Sequence, residues 1–378
     1  MPRNTRKEPR NPVLFNNTSV ALLLTVQFLQ QKTLDVRTAK WKNEERVKEQ
    51  IKRKRRCVME SQTKAKLNGK QLQAIIAKHF GSDTVILQQT ELHNGWFNTA
   101  YDLALSSGNN VILKVAPEAG VVTLTCEKNT MKSEVGILRF LRSQGVLPVP
   151  EVYAYNASFD LVPSEYFLME KMEGEPYNLI RDAMSERERE QIEYEMGSYN
   201  RQINEIQGRR FGGFFEDGGN SYDTWREAFA AMMSDLLADG RELGVVLPAP
   251  YEAIEEKVDM QLQCLDVALE PRLLHWDLWN GNVFVKEGHV NAIIDWERAF
   301  WGDPLFEFYF SHMENSEAFY QGYGRRFDSP NELQRRKLYN FYLDLLYVIE
   351  CYSRQYGNPD HLKWAHENAA AGWARFKS

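Results

Sequence analysis

The passage His275-Trp276-Asp277-Leu278-Trp279-Asn280-Gly281-Asn282 puts an aspartate and an asparagine on one loop, and Ile293-Ile294-Asp295-Trp296-Glu297 adds a second aspartate behind two isoleucines. The stretch between them, Val283 to Ile294, reads as a β-hairpin that returns Asp295 to the side of Asp277 and Asn282. Three oxygen donors therefore converge. Hard oxygen ligands suit magnesium, and a carboxylate beside an attacking hydroxyl completes the requirements of phosphoryl transfer. Asp and Asn are also common turn formers. Turn formation alone does not call for an H-x-D-x-x-x-x-N string followed, at hairpin distance, by an apolar-flanked aspartate.

The same chemistry needs a lysine on the α- and β-phosphates and a helix carboxylate to hold it. Lys114 lies in Val111-Ile112-Leu113-Lys114-Val115, where strand alternation turns its amine to the face opposite Leu113. Glu134 follows on the next helical stretch, with Glu127 as its competitor. Asn94-Gly95-Trp96-Phe97-Asn98-Thr99-Ala100-Tyr101 sits between two strands, where a loop covering the phosphates belongs. It lacks G-x-G-x-x-G, but a glycine turn still offers backbone N–H groups to phosphate oxygens, which makes Gly95 and Asn98 candidates for nucleotide contact.

Together these motifs resemble those of the aminoglycoside phosphotransferase and choline kinase-like family, from about Glu91 to about Glu307. The resemblance implies a two-lobed protein-kinase-like fold and an ATP- or GTP-dependent kinase acting on a hydroxyl of an aminoglycoside, amino sugar, amino alcohol or related metabolite. It implies Asp277 as catalytic base, Asn282 and Asp295 as magnesium ligands, and His275 as a brace of the loop. Phe167 to Gly174 resembles the family's hinge, with the backbone of Glu170 and Met172 reading the base and Met169 lining the pocket behind it. Gly302-Asp303-Pro304 is similar to the family's G-D-P-x-x-D element, with Asp303 as a loop brace, although Glu307 stands where Asp is usual. Asp295-Trp296-Glu297 replaces the protein-kinase D-F-G, without the Phe and glycine of a swinging activation segment, and the short passage Trp296 to Phe308 leaves little room for a protein-substrate platform.

The elements that must position these residues divide at about Gly174. Residues 59–173 read as a nucleotide-binding N-lobe. A helix around Leu72 to Phe80 precedes strands at Thr84 to Leu92, Phe97 to Ser106 and Asn110 to Val115; a helix from Glu127 to Ser143 and strands at Glu151 to Tyr155 and Tyr166 to Lys171 complete it. Residues 174–378 read as a larger, mainly helical C-lobe with helices at Ser185 to Ile206, Tyr222 to Leu243, Tyr251 to Leu269 and from Ser329 to Phe376, interrupted by strands at Val283 to Lys286 and Ala292 to Ile294. The fold class is α+β. Asp217, Tyr222, Asp223, Trp225, Glu297, Trp301, Glu307 and Trp364 offer acids and aromatics for an amine-bearing acceptor through charge and cation–π attraction.

Charge and composition narrow the partners. Residues 1–58 hold 15 Lys and Arg against 5 Asp and Glu, so a net charge of −6 leaves about −16 on the remainder. An acidic body disfavours nucleic acid and attracts cations. The basic extension ends in Lys52-Arg53-Lys54-Arg55-Arg56, which suggests a nucleic-acid or membrane arm; if the gene is bacterial, a ribosome-binding sequence encoding Arg55-Arg56 would instead start translation at Met59. The apolar run Val20 to Leu29 is too short for a membrane span of roughly 20 residues, and no small-x-small cleavage site follows it. Four scattered cysteines fit a reducing cytoplasm. A nucleotide-binding pseudokinase scaffold is the alternative to an enzyme, and the complete Lys114, Asp277, Asn282 and Asp295 set speaks against it.

Overall fold

The computed structural model describes residues 61–378 apart from 62, 94, 96, 216–219 and 313–315. The basic extension, with its expected start at Met59, and Asn94, Trp96 and Asp217 lie outside the described residues. Residues Met59–Ser378 form one compact unit.

Its first half is an antiparallel sheet with helix α1 (Gly69–Phe80) on one face. The strands are β1 (Ile86–Leu92), β2 (Thr99–Leu105), β3 (Asn110–Val115), β4 (Val152–Asn156) and β5 (Tyr166–Glu170), in the order β1-β2-β3-β5-β4. Asn68 caps α1 through the backbone N–H groups of Lys70 and Gln71, and Gln71 answers through the N–H of Asn68. Alternation along the strands then sorts the side chains. Tyr101, Leu103 and Leu105 of β2 and Val111, Leu113 and Val115 of β3 close on Leu72, Ile75 and Ile76 of α1. Ile112 and Lys114 point to the other face, toward helix α2 (Thr130–Gln144) and the second lobe.

The second lobe is built on helices α3 (Glu186–Glu205), α4 (Trp225–Glu242), α5 (Tyr251–Gln261), α6 (Glu317–Tyr323), α7 (Pro330–Ser353) and α8 (Pro359–Lys377). Short strands join them in two small sheets. In one, β6 (Glu175–Pro176) pairs with β10 (Val283–Lys286), which pairs in turn with β11 (His289–Ile293); in the other, the order is β8 (Ser221–Tyr222), β7 (Phe211–Gly213), β12 (Phe300–Gly302) and β9 (Arg272–Leu274). Hydropathy patterning anticipates β10 and β11 but not β6 to β9 or β12, because two or three residues are too few to alternate. Several helix bounds shift for local reasons. Thr224 and Glu227 form a capping box, so α4 begins at Trp225 and Tyr222 stays in a strand. Asn358 and Pro359 start a new helix after α7, which splits the expected C-terminal run.

Helices α3 and α6 cross with their backbones nearly touching. A Cβ at Gly197 would stand 2.0 Å from the Phe319 carbonyl oxygen, and one at Gly322 would stand 1.9 Å from that of Tyr194. The crossing holds α3 so that Asn200 and Asn204 reach Glu307, which braces the loop after β9. Gly197→Ala should therefore lower stability by about 2 kcal/mol, through forced separation of the helices, and a lower urea midpoint with unchanged slope would register it.

Candidate active site

The loop after β9 is shaped by a buried carboxylate. Trp276 takes a left-handed conformation, φ 63°, which a bulky residue holds only when its surroundings enforce it. Glu307 supplies that enforcement. Its Oε1 accepts from the backbone N–H of His275 at 2.8 Å and its Oε2 from that of Trp276 at 2.8 Å, while Asn200 and Asn204 donate to Oε1 at 3.1 and 3.2 Å. Burial pushes the Glu307 carboxyl up, and these four donors pull it back toward the ionised form that can accept from all of them. Glu307 is thus a backbone brace and not part of an acceptor pocket; its extra methylene relative to Asp leaves both N–H contacts intact.

His275, fully buried, ties the loop to the hairpin. Its Nδ1 accepts from the Asp277 N–H at 3.2 Å and its Nε2 donates to the Ile294 carbonyl at 3.0 Å. Burial lowers its pKa to about 4, so it remains neutral in this tautomer. Asn282 directs its amide nitrogen at the Asp277 carbonyl, 2.9 Å, and at Asp277 Oδ2, 3.2 Å, leaving its own oxygen for another partner. Crowding on the cleft floor pushes the Asp277 carboxyl up to about 7, opposed by Arg298 and reinforced by Asp295 and Glu297.

Across the cleft, Lys114 Nζ lies 2.9 and 2.6 Å from the two oxygens of Glu134, 2.7 Å from Asp295 Oδ1 and 3.7 Å from Glu297 Oε2. Burial alone would lower the lysine pKa, but Asp295, Glu134 and Glu297 raise it, so the ammonium persists. Glu127, the competing helix carboxylate, goes instead to Arg354. Oxygens of Glu134, Asp295 and Glu297 lie within 4.8 Å of one another around this ammonium. One positive charge among three carboxylates leaves an excess of negative charge. The hard oxygens of Asp295 and Asn282 beside it fit a magnesium ion, which would compensate that excess.

Asn98 donates to Glu297 Oε2 at 2.5 Å, and its own Oδ1 is buried without a partner among the described residues. Lys64 reaches the Gly95 carbonyl. In the hinge, Met169 is buried behind β5, and the Glu170 N–H is already taken by the Glu151 carbonyl at 2.8 Å. The Glu170 N–H is thus not available to a base edge.

A cavity of about 330 Å³ adjoins this cleft on the side of Trp276 and Glu297. One face of α4 forms its floor, with Ala228, Met232, Asp235 and Asp239 at helical spacing, and Phe97, Trp276, Phe300 and Tyr342 close its end. Of the residues expected around an acceptor, Tyr222 and Glu297 line it. The others do not. Trp225 is 2% exposed and stacks on Phe300 within the core, because its indole N–H finds the Tyr339 hydroxyl at 2.6 Å. Trp301 stacks on Phe214, Trp364 packs on His361 and Tyr347, and Asp223 pairs with Arg210. Asp235 and Asp239 escaped the sequence reading because their spacing on an amphipathic helix looks like an ordinary solvated face. Asp303 caps the turn at Leu305 and pairs with Arg335 and Tyr339, as a brace.

A small antiparallel lobe presenting a lysine–glutamate pair to a helical lobe with an H-x-D-x-x-x-x-N loop defines a two-lobed, kinase-like fold. The family model described as "Phosphotransferase enzyme family" matches residues 88–339, about two thirds of the sequence, and the chain belongs to that family. A subtelomeric hrmA-associated cluster protein of Aspergillus fumigatus is 41% identical over 87 residues, 22% of this chain and 16% of that protein. Hygromycin-B 4-O-kinase of Escherichia coli is 28% identical over 99 residues, 26% of this chain and 28% of that protein. The matched stretches thus span well under two thirds of these curated relatives. Among solved structures, the apo form of a thermostable mutant of aminoglycoside phosphotransferase APH(4)-Ia superposes with a TM-score of 0.59 at 19% identity, covering 79% of this chain and 97% of that one. The streptomycin–ATP complex of APH(2")-IIa gives 0.55 at 15% identity, covering 81% and 97%. Both share the fold.

The depressed His275 pKa carries a pH signature. The unfolded chain binds a proton near the ordinary histidine value and the folded chain only near 4, so between these values the unfolded state holds more protons and stability rises with pH. The stability advantage of the wild type over His275→Gln should shrink by about 3 kcal/mol as pH falls from 6.5 to 4, and denaturant titrations at a series of pH values would measure it. A constant gap would mean that His275 titrates normally in the fold.

Proposed function

We propose that the chain is a magnesium-dependent kinase that transfers the γ-phosphoryl group of ATP or GTP to a hydroxyl of a small, amine-bearing acceptor. The observation that carries this reading is the Lys114 ammonium held at 2.6 to 2.9 Å by Glu134 and Asp295, facing a loop on which Asn282 orients Asp277. Lys114 binds the α- and β-phosphates, with Glu134 fixing its position, and the turn at Gly95 and Asn98 covers them. Met169, Glu170 and Met172 border the base. Asn282 and Asp295 would hold magnesium, which would supply positive charge to offset the charge of the phosphates.

Asp277 receives the acceptor's hydroxyl proton as the new oxygen–phosphorus bond forms and the bond to the leaving nucleoside diphosphate breaks. Burial and neighbouring carboxylates favour its taking a proton, and Arg298 limits the effect. The acceptor occupies the cavity beside Trp276. Its two arginines are already engaged, Arg354 with Glu127 and Arg298 with Glu350, whereas Asp235 and Asp239 stand one helical turn apart on the floor. Burial and the charge of Asp239 raise the Asp235 pKa against the opposing pull of Lys128, and a further ammonium group would relieve the repulsion between the two carboxylates. The indole N–H of Trp276, buried on the cavity wall without a partner among the described residues, suits an oxygen of a polyol or sugar.

Magnesium-dependent release of ADP or GDP, screened against aminoglycosides, choline, homoserine, methylthioribose and fructosamines, tests the assignment. Turnover with one acceptor should fall about 10³-fold in Asp277→Asn, the range for loss of a general base. An undiminished rate in that variant would remove Asp277 from the chemistry. With the acceptor in hand, Asp235→Asn should raise its KM about tenfold with kcat little changed, as expected for a lost charged hydrogen bond. If KM does not move, the amine is bound elsewhere.

A further inference from the structure

The lack of the Phe and glycine of a swinging activation segment leaves open what keeps α2, and with it Glu134, in place against Lys114. We propose that Arg354, at the end of α7, is a positioning residue that clamps α2 to the second lobe by holding Glu127. Glu127 closes the short turn Thr125–Glu127 immediately before α2, two helical turns ahead of Glu134. The Arg354 Nε donates to Glu127 Oε1 at 2.8 Å, and Nη2 adds a second bond to the same oxygen. The other carboxylate oxygen is spent locally on the Leu124 N–H at 3.0 Å, so the turn and the arginine are rigidly joined.

The arginine is fixed from behind. Glu350, one turn earlier on α7, lies 3.0 Å from Arg354 Nη2 and also takes Arg298, the residue that follows Glu297. The Arg354 guanidinium stands 5.1 Å from the centre of the Phe97 ring, beneath the loop that carries Asn98. Ser61 donates to the Arg354 carbonyl at 2.8 Å. Arg354, Glu127 and Glu350 are 4–6% exposed, so an unpaired partner would be left as an uncompensated buried charge. The clamp therefore has only one arrangement in which every charge is matched, and that arrangement sets Glu134 on Lys114.

Two further contacts act in the same place and direction. Asp239 of α4 accepts from the backbone N–H and the hydroxyl of Thr125 at 2.7 and 2.9 Å. Phe215 packs so closely on α2 that a Cβ at Gly136 would meet its ring at 2.4 Å. All three tie α2 to the second lobe. Only the Arg354 contact also touches the phosphate-covering loop and, through Glu350, the segment after Asp295.

Hydrogen–deuterium exchange of the purified full chain tests the clamp without relying on activity. Arg354→Gln and Glu127→Gln should each speed exchange across Thr130–Gln144 about tenfold, and the double variant should be no faster than either single, since one interaction is lost in each case. Unchanged exchange in both single variants, or additive effects in the double, would overturn the proposal; if Arg354→Gln does not fold, Glu127→Gln alone decides.

The catalytic consequence rests on the kinase reading. At saturating nucleotide and acceptor, Glu127→Gln should lower kcat on the order of a hundredfold, as misplacement of a remote positioning group does. Faster exchange with unaltered kcat would reduce the clamp to a purely structural contact. Faster exchange in a chain whose wild type phosphorylates nothing would retain the clamp and reject the kinase.

Discussion

The ammonium of Lys114 sits among three carboxylates from two segments: Glu134 on α2, and Asp295 and Glu297 from the turn after β11. Lys114 and Glu134 are buried and Glu297 nearly so, and through this set charges withdrawn from water join the small sheet to the second lobe. Removing one member of a buried set of this kind costs about 3–5 kcal/mol, because the remaining charges lose their match. The geometry of the cleft therefore has little freedom. Strand β3 fixes the lysine through the face it shares with Ile112, and α2 must arrive at the register that delivers Glu134. The hairpin of β10 and β11 must return Asp295 to the same point.

The opposite wall is held by a different means. Backbone N–H groups of His275 and Trp276 are gathered onto Glu307, and the left-handed Trp276 that results turns the following residue, Asp277, into the cleft. Strain of order 1–3 kcal/mol at such a residue persists only when the surroundings over-determine it. Two asparagines from α3 saturate the same carboxylate, and the glycine crossing of α3 with α6 fixes where those asparagines stand. Helix packing far from the cleft thus reaches the catalytic loop through one side chain.

Much of this was legible in sequence wherever chemistry restricts residue type and spacing is short. Asp277, Asn282 and Asp295 lie within one loop and one hairpin, and Lys114 lies on a strand whose alternation gives its direction. What was hidden depends on residues distant in the chain. Glu307 looked like an imperfect motif residue, although its carboxylate reaches both N–H groups. Trp225 looked like a cation-binding aromatic, but Phe300 and Tyr339 bury it, and only the tertiary fold brings them there. Asp235 and Asp239 read as surface charges, and only the fold brings the turn Thr125–Glu127 against the face that carries them. The Arg354–Glu127 pair spans most of the domain, and a single sequence has no local signal for it.

The two sides of the cleft carry charge differently. On the nucleotide side, one ammonium serves three carboxylates. On the cavity side, Asp235 and Asp239 share the lining with Lys128, Lys132 and two arginines. Glu127 and Glu350 absorb both arginines into the wall, and Asp239 is held by Thr125. An arginine-lined pocket would ordinarily suggest an anionic ligand, yet here the arginines work as ties between segments. The pairing that holds α2 in place thus also withdraws two guanidinium groups from recognition, so lobe geometry and the charge left to the cavity arise from one set of buried ion pairs.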